Sequence, residues 1–179
     1  MSILLDPRDP LSPTLRDRIG AEIGRFITDR RELLTDIGPE ALTLSELAEV
    51  FTAAGKRMRP AFAVWGAVAA GGVPTNPGPY LCAAASIDLL HTGILIHDDV
   101  MDASDTRRGM PAVHRQLATQ HSTEGLLGSA VDFGRAGAII LGDLLQLWSI
   151  EMLETAGLLT ENLARARPTL ARMRTEVTC

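Results

Sequence analysis

Aromatic residues are scarce in this chain: four phenylalanines, two tryptophans and one tyrosine among 179 residues, 4% in all. Apolar residues still make up 46%, so the core must be built from Ala, Leu, Ile and Val. That palette suits helices better than a sandwich or barrel, whose strands are enriched in β-branched and aromatic side chains. Cysteine is nearly absent. Cys82 and Cys179 are too few for a disulfide framework and lack metal-ligand spacing. Positive charge is in deficit, with 17 Lys plus Arg against 22 Asp plus Glu and a net charge of −5. This argues against a non-specific nucleic-acid binder while leaving room for a small anion held by a local basic cluster. Long hydrophobic runs are also missing. The longest charge-free apolar stretch, Ala61 to Val73, falls short of the ~20 residues a spanning helix needs. The start of the chain, Met1 to Pro10, carries Asp6, Arg8, Asp9 and two prolines, unlike a signal peptide. These features describe a soluble, cytoplasmic protein without a transmembrane segment, and 19.2 kDa suits one domain.

What is present reads as helices. Ser12-Pro13 has the cap-then-proline order of a helix start, and Leu15, Ile19, Ile23, Phe26 and Ile27 follow at three- and four-residue spacing. Gly38-Pro39 ends that helix. Thr43 and Glu46 have capping-box spacing for a second helix that buries Leu44, Leu47 and Phe51. Pro60 suits the start of an Ala-rich helix reaching Ala70, and Gly71 to Pro79 is a Gly/Pro loop. The segment from Tyr80 to Asp102 is helical in pattern and apolar on nearly all sides between Leu81 and Ile96, which places it centrally. Ala103 to Pro111 reads as a polar loop, followed by a short helix to Thr119 and a Ser/Thr/Gly stretch. A long apolar helix spans Ala130 to Thr155, and Pro168 kinks or divides a last amphipathic segment, Thr160 to Thr178. No hairpin is expected. The fold class is all-α, a helical bundle around one apolar helix.

The central helix ends in His97-Asp98-Asp99-Val100-Met101-Asp102. Asp98 and Asp102 share a helix face, about 6 Å apart along the axis, while Asp99 points roughly 100° away. Stacked carboxylates repel unless a cation sits between them, and Mg²⁺ typically takes one or two carboxylates with water and phosphate oxygens. A solvated acidic helix end is the plainer reading, but acids at a C-terminus oppose the helix dipole. Arg107 and Arg108 follow in the loop, and Lys56, Arg57 and Arg59 form a second basic cluster. Each alone reads as an exposed basic loop; flanking an acidic metal site, they suit a diphosphate. His91 lies two turns before Asp98 on the same face, as a core histidine or a phosphate donor. Asp88 has no assigned role, His97 and His114 read as structural, and His121 as part of a flexible stretch.

Three motifs, Gly55-Lys56-Arg57-Met58-Arg59-Pro60, His91 through Asp102, and Arg107 through His114, occur in the order and spacing of the trans-isoprenyl diphosphate synthases, the polyprenyl synthetase family. Gly142-Asp143-Leu144-Leu145 is similar to that family's following helix. The resemblance covers the chain from Ser12 onward and implies an isoprenoid-synthase helical bundle. It implies that residues 1–179 are one domain, the N-terminal portion of such an enzyme. It further implies Mg²⁺ held by Asp98 and Asp102, an allylic diphosphate held by Arg107, and isopentenyl diphosphate held by Lys56, Arg59, His91 and Arg108. A Mg²⁺-dependent ionisation and condensation would lengthen a trans-prenyl chain, in an enzyme that is a homodimer when full length. Gly93, with Ile94 beside it, holds the position where makers of short products carry a bulky aromatic. That glycine, and the lack of an insertion in the aspartate motif, point to a geranylgeranyl-type or longer product.

The chain departs from the family after Asp143. The family's second aspartate-rich motif has no counterpart among the later acids, Glu151, Glu154, Glu161 and Glu176, so the half-length chain is expected to be inactive alone. Two other readings stay open. One is a non-catalytic partner of a full-length synthase. The other is a class I terpene cyclase, against which the Lys56/Arg59 cluster argues, since a cyclase needs no second diphosphate site.

Overall fold

The computed structural model describes residues 4–53 and 55–178. Met1 and Cys179, on which parts of the signal-peptide and cysteine readings rest, lie outside the described residues. Seven α-helices form among the described residues: α1 (Pro13–Ile37), α2 (Leu42–Ala53), α3 (Met58–Gly71), α4 (Gly78–Met101), α5 (Val113–Thr123), α6 (Ala130–Glu154) and α7 (Thr160–Thr178). The architecture is all-α apart from one small hairpin, in line with a composition that favours helices.

Helix α1 starts as the sequence dictates, with the Ser12 hydroxyl accepting from the Leu15 amide at 3.2 Å and Pro13 in the first turn. Its periodic residues Leu15, Ile19, Ile23 and Ile27 are at most 1% exposed. The start of α2 differs from the capping-box expectation. A 3-10 turn, Pro39–Ala41, runs directly into α2 at Leu42, so Thr43 and Glu46 lie inside the helix instead of framing its start. Pro39 fixes its own φ and suits a first helical turn, which lets the chain re-enter helix sooner.

Helices α4 and α6 form the most extensive contact of the fold. Length and composition alone would let both cross a membrane; here their apolar faces are packed on each other and on α1, α3 and α5. Counting uninterrupted charge-free residues missed this property, because charged residues such as Asp88 and Asp143 punctuate the two segments. Leu81, Leu89 and Ile96 of α4 meet Leu141, Leu145 and Met152 of α6 in one core, all at most 2% exposed. Pro168 neither ends nor divides α7, which runs unbroken through it.

A small hairpin corrects the all-loop reading of 103–111. Strand β1 (Thr106–Arg107) pairs antiparallel with β2 (Met110–Pro111), Arg107 opposite Met110. The two residues between them, Arg108 and Gly109, have φ of 54° and 79°, the signature of a type I′ turn. Two-residue strands carry no alternation, and an arginine in the first left-handed position is not a usual turn signal.

Candidate diphosphate-binding site

Three elements converge beside the second half of α4: the turn joining α2 to α3, the β1–β2 hairpin, and α4 itself. The convergence is built by arginines. The last carbonyls of α2 lack intrahelical partners and carry the negative end of the helix dipole. Two guanidiniums from different parts of the chain meet that need. Arg57 Nη2 donates to the carbonyls of Thr52 at 2.5 Å and Ala53 at 3.1 Å, and Arg108 Nη1 donates to that of Phe51 at 3.1 Å. Both arginines have left-handed backbone, with φ of 52° and 54°, a conformation that costs an L-residue about 1–2 kcal/mol and persists where surroundings enforce it. The hairpin is thereby docked on the turn that carries Lys56 and Arg59. Two basic clusters fifty residues apart in sequence become one.

Arg57 is not a surface cation. It is 7% exposed, and its Nη1 lies 2.9 Å from the Asp88 carboxylate, which gives Asp88 the partner that sequence reasoning left unassigned. Lys56 and Arg59, on either side, are exposed. Of three cations in that cluster, two remain outward.

Asp99 confirms the face argument. It is 1% exposed, turned away from Asp98 and Asp102, and both its oxygens accept from Arg107 Nε, at 3.0 and 3.1 Å. Arg107 Nη2 also pairs with Asp99 and reaches Asp98 Oδ2 at 3.5 Å. The Asp99 hydrogen bonds hold the Arg107 guanidinium above its usual pKa, so it stays cationic. Asp98 is half-exposed and Asp102 exposed. Two hard-oxygen donors on the solvent side of α4, one of them also within reach of Arg107, suit a Mg²⁺ ion that draws its remaining ligands from water and phosphate. Among the described residues no group of three or more His, Cys, Asp or Glu side chains forms a closed metal cage.

His91 stands between the clusters. Burial lowers its pKa first, and the charges of Arg59, Arg108 and Arg107 push the same way, with Asp88 opposing. Cations from α3 and from the hairpin thus bear on one imidazole of α4. Of the predicted site residues, Arg59, Arg107 and Arg108 act on His91 and Arg107 reaches Asp98. Lys56 and Asp102 are exposed beside them in sequence, with no hydrogen bond or ion pair to the group among the described residues.

The same face of α4 continues downward into an apolar groove of about 770 Å³ between α3, α4 and α7. Ala63, Ala67 and Ala70 of α3, Ala83 and Ile87 of α4, and Leu170 of α7 line it. Ile87 is four residues before His91, one turn below it on α4.

Gly93 is corrected. It faces α6 and not an open tunnel: a Cβ built there would lie 2.7 Å from the Gly142 carbonyl oxygen and 3.2 Å from Leu145 and Gln146 side-chain atoms. Its missing side chain lets the two central helices approach closely. Ile94 beside it is half-buried. The other histidines are structural. His97 Nε2 lies 3.0 Å from the Ile139 carbonyl, which can only accept, so Nε2 carries the proton and Nδ1 accepts from Gln146 at 3.3 Å. His114 is buried, with its pKa lowered by burial and by Arg115. His121 is not in a flexible stretch but 4% exposed, packed on Phe133 and bonded to the Leu127 carbonyl at 3.2 Å.

Residues 41–178 match the polyprenyl synthetase family. The chain is 41% identical over 115 residues to the short chain isoprenyl diphosphate synthase of Methanothermobacter thermautotrophicus, covering 64% of this chain and 29% of that protein. It is 31% identical over 162 residues to the geranylgeranyl pyrophosphate synthase of Geoglobus acetivorans, covering 87% and 45% respectively. Among solved structures, the geranylgeranyl pyrophosphate synthase of Corynebacterium glutamicum complexed with isoprenyl diphosphate and magnesium superposes with a TM-score of 0.89. That match has 34% identity and covers 97% of this chain and 48% of that one. The chain thus spans less than half the length of each.

Proposed function

The chain belongs to the polyprenyl synthetase family, and from that premise we propose that it carries the two diphosphate-recognition sites of a trans-prenyltransferase. The observation that carries this reading is that Arg57 and Arg108 dock the basic turn and the hairpin on the same end of α2, while Arg107 of that hairpin reaches Asp98. Asp98, Asp102 and Arg107 take the allylic diphosphate. Lys56, Arg59, His91 and Arg108 take isopentenyl diphosphate. Magnesium held by Asp98 and Asp102 supplies charge neutralisation of the departing diphosphate when bound. Arg107, fixed by Asp99, stabilises the same developing negative charge as the allylic C–O bond breaks. The isopentenyl double bond then attacks the allylic cation, a C–C bond forms and a proton is lost. Exclusion of water by the apolar groove protects that cation, and the groove suits a prenyl tail.

A geranylgeranyl-type product is supported by the names of the relatives and not by Gly93. The site is proposed to work in the cytoplasm, as part of a homodimer when full length. The later acids Glu151, Glu154, Glu161 and Glu176 contain no aspartate pair, and the 179-residue chain is expected to bind both substrates with little or no turnover alone. A second reading, a partner subunit of a longer synthase, draws on the exposed Ile140 and Leu147 of α6, 55% and 63% accessible.

Incubation with Mg²⁺, isopentenyl diphosphate and geranyl or farnesyl diphosphate, with separate binding measurements for each, tests the proposal. Binding of both diphosphates supports it, as does any elongated product that disappears with Asp98→Ala. Failure to bind isopentenyl diphosphate contradicts it. A cyclised hydrocarbon formed without isopentenyl diphosphate indicates a cyclase instead.

A further inference from the structure

Asp88 is a buried carboxylate with no part in the chemistry above. It lies on α4 three turns before Asp99, eleven residues or about 16 Å along the axis, and is 9% exposed. The spacing places both acids on one face of the helix, and each holds an arginine from outside it: Asp99 holds Arg107 and Asp88 holds Arg57. Arg107 is itself a proposed substrate contact. Arg57 is not, because its guanidinium is consumed by Asp88 and by the carbonyls of Thr52 and Ala53. Its burial nonetheless dictates what its neighbours do. With the middle residue of the turn pinned inward at φ 52°, Lys56 before it and Arg59 after it remain on the outside, and the Arg59 charge bears on His91, one turn along α4 from Asp88.

We propose that Asp88 is a positioning residue: through Arg57 it sets the turn so that Lys56 and Arg59 face the metal-independent phosphate site beside His91. The proposal rests on reading that face as a diphosphate site. A pair that merely fastened α2 to α4 would act on stability alone. A pair that positions the turn acts on one phosphate site and spares the other.

The two sites differ in their need for a divalent cation. Within the cluster of Lys56, Arg59, His91 and Arg108, the carboxylate that bears on the imidazole is Asp88, and Arg57 neutralises it. The cluster therefore attracts a bare polyanion; the Asp98 and Asp102 side repels one unless metal is present. Calorimetric titration of the full 179-residue chain separates them, using inorganic pyrophosphate in EDTA for the first and geranyl diphosphate with Mg²⁺ for the second. Asp88→Asn should weaken metal-free pyrophosphate binding by about tenfold and leave metal-dependent binding within about twofold of the unsubstituted chain. Asp88→Glu should restore most of the loss. Because Asp88→Asn leaves the Arg57 charge buried without its partner, helical content is checked by circular dichroism. If that variant unfolds, Arg57→Gln combined with Asp88→Asn removes both charges, and the same selective loss is expected of it. Equal weakening at both sites, or unchanged metal-free binding in a folded variant, overturns the inference. Absence of pyrophosphate and geranyl diphosphate binding in the unsubstituted chain overturns the diphosphate reading, and the inference with it.

Discussion

Both carboxylate oxygens of Asp99 accept from Nε of Arg107, at 3.0 and 3.1 Å, from a position 1% exposed to solvent. An acid inside the aspartate-rich stretch is therefore committed to an arginine and not to the metal side of α4. The guanidinium is held in place before any ligand arrives, so little ordering remains to oppose binding. Asp99→Asn should lower stability by about 1.5–3 kcal/mol, the scale of losing hydrogen bonds to a charged group, as measured by urea unfolding. It should also weaken Mg²⁺-dependent binding of geranyl diphosphate. Retention of both properties would show that Arg107 is held by something else.

The split between Asp98/Asp102 and Asp99 was legible from 3.6-residue periodicity, and the helical segments and the central place of α4 from periodicity with caps and breakers. The sequence nonetheless left open whether Pro168 divides the last helix, and ended α5 at Thr119 where it runs to Thr123. The basic clusters were legible as clusters. Their union was not, because it depends on Arg57 and Arg108 reaching the same helix end from positions fifty residues apart. Exposure was also misjudged for Arg57, since a run of cations between glycine and proline looks solvated in sequence whether or not a buried acid waits for one of them. Gly93 misled for a related reason. A small residue signals close approach, and only the structure shows that helix α6 fills the space beside it.

His91 provides a pH test. Burial, then the Arg59 charge, lowers its pKa below the ordinary value of 6.5. As pH falls through about 6.5 the unfolded chain binds a proton that the folded chain still refuses, so stability declines. The decline from this residue stops once the folded imidazole is also protonated. Proton NMR should give a His91 midpoint below 6.5, and bound pyrophosphate should raise it by favouring the charged ring. An unperturbed midpoint that pyrophosphate does not move would remove His91 from the phosphate site.

Gly93→Ala tests the helix contact. The new Cβ would meet the Gly142 carbonyl oxygen at 2.7 Å, so α4 and α6 must separate, at a cost of about 1–3 kcal/mol. Melting temperature should drop by about 2–4 °C per kcal/mol. Gly24→Ala in α1, where a Cβ meets nothing within 4 Å, should instead leave the melting temperature unchanged or raise it. Equal melting of Gly93→Ala and the unsubstituted chain would mean that the central helices are not in tight contact there.

The most direct measurement is the Mg²⁺ dependence of geranyl diphosphate binding in the unsubstituted chain, Asp98→Ala and Asp102→Ala. Open carboxylates facing an anion make the metal essential: Mg²⁺ should tighten binding to the unsubstituted chain by about tenfold or more, and each substitution should abolish most of that gain. Binding that responds to Mg²⁺ equally in all three proteins would contradict the account, because the acids of α4 would then play no part in holding the metal.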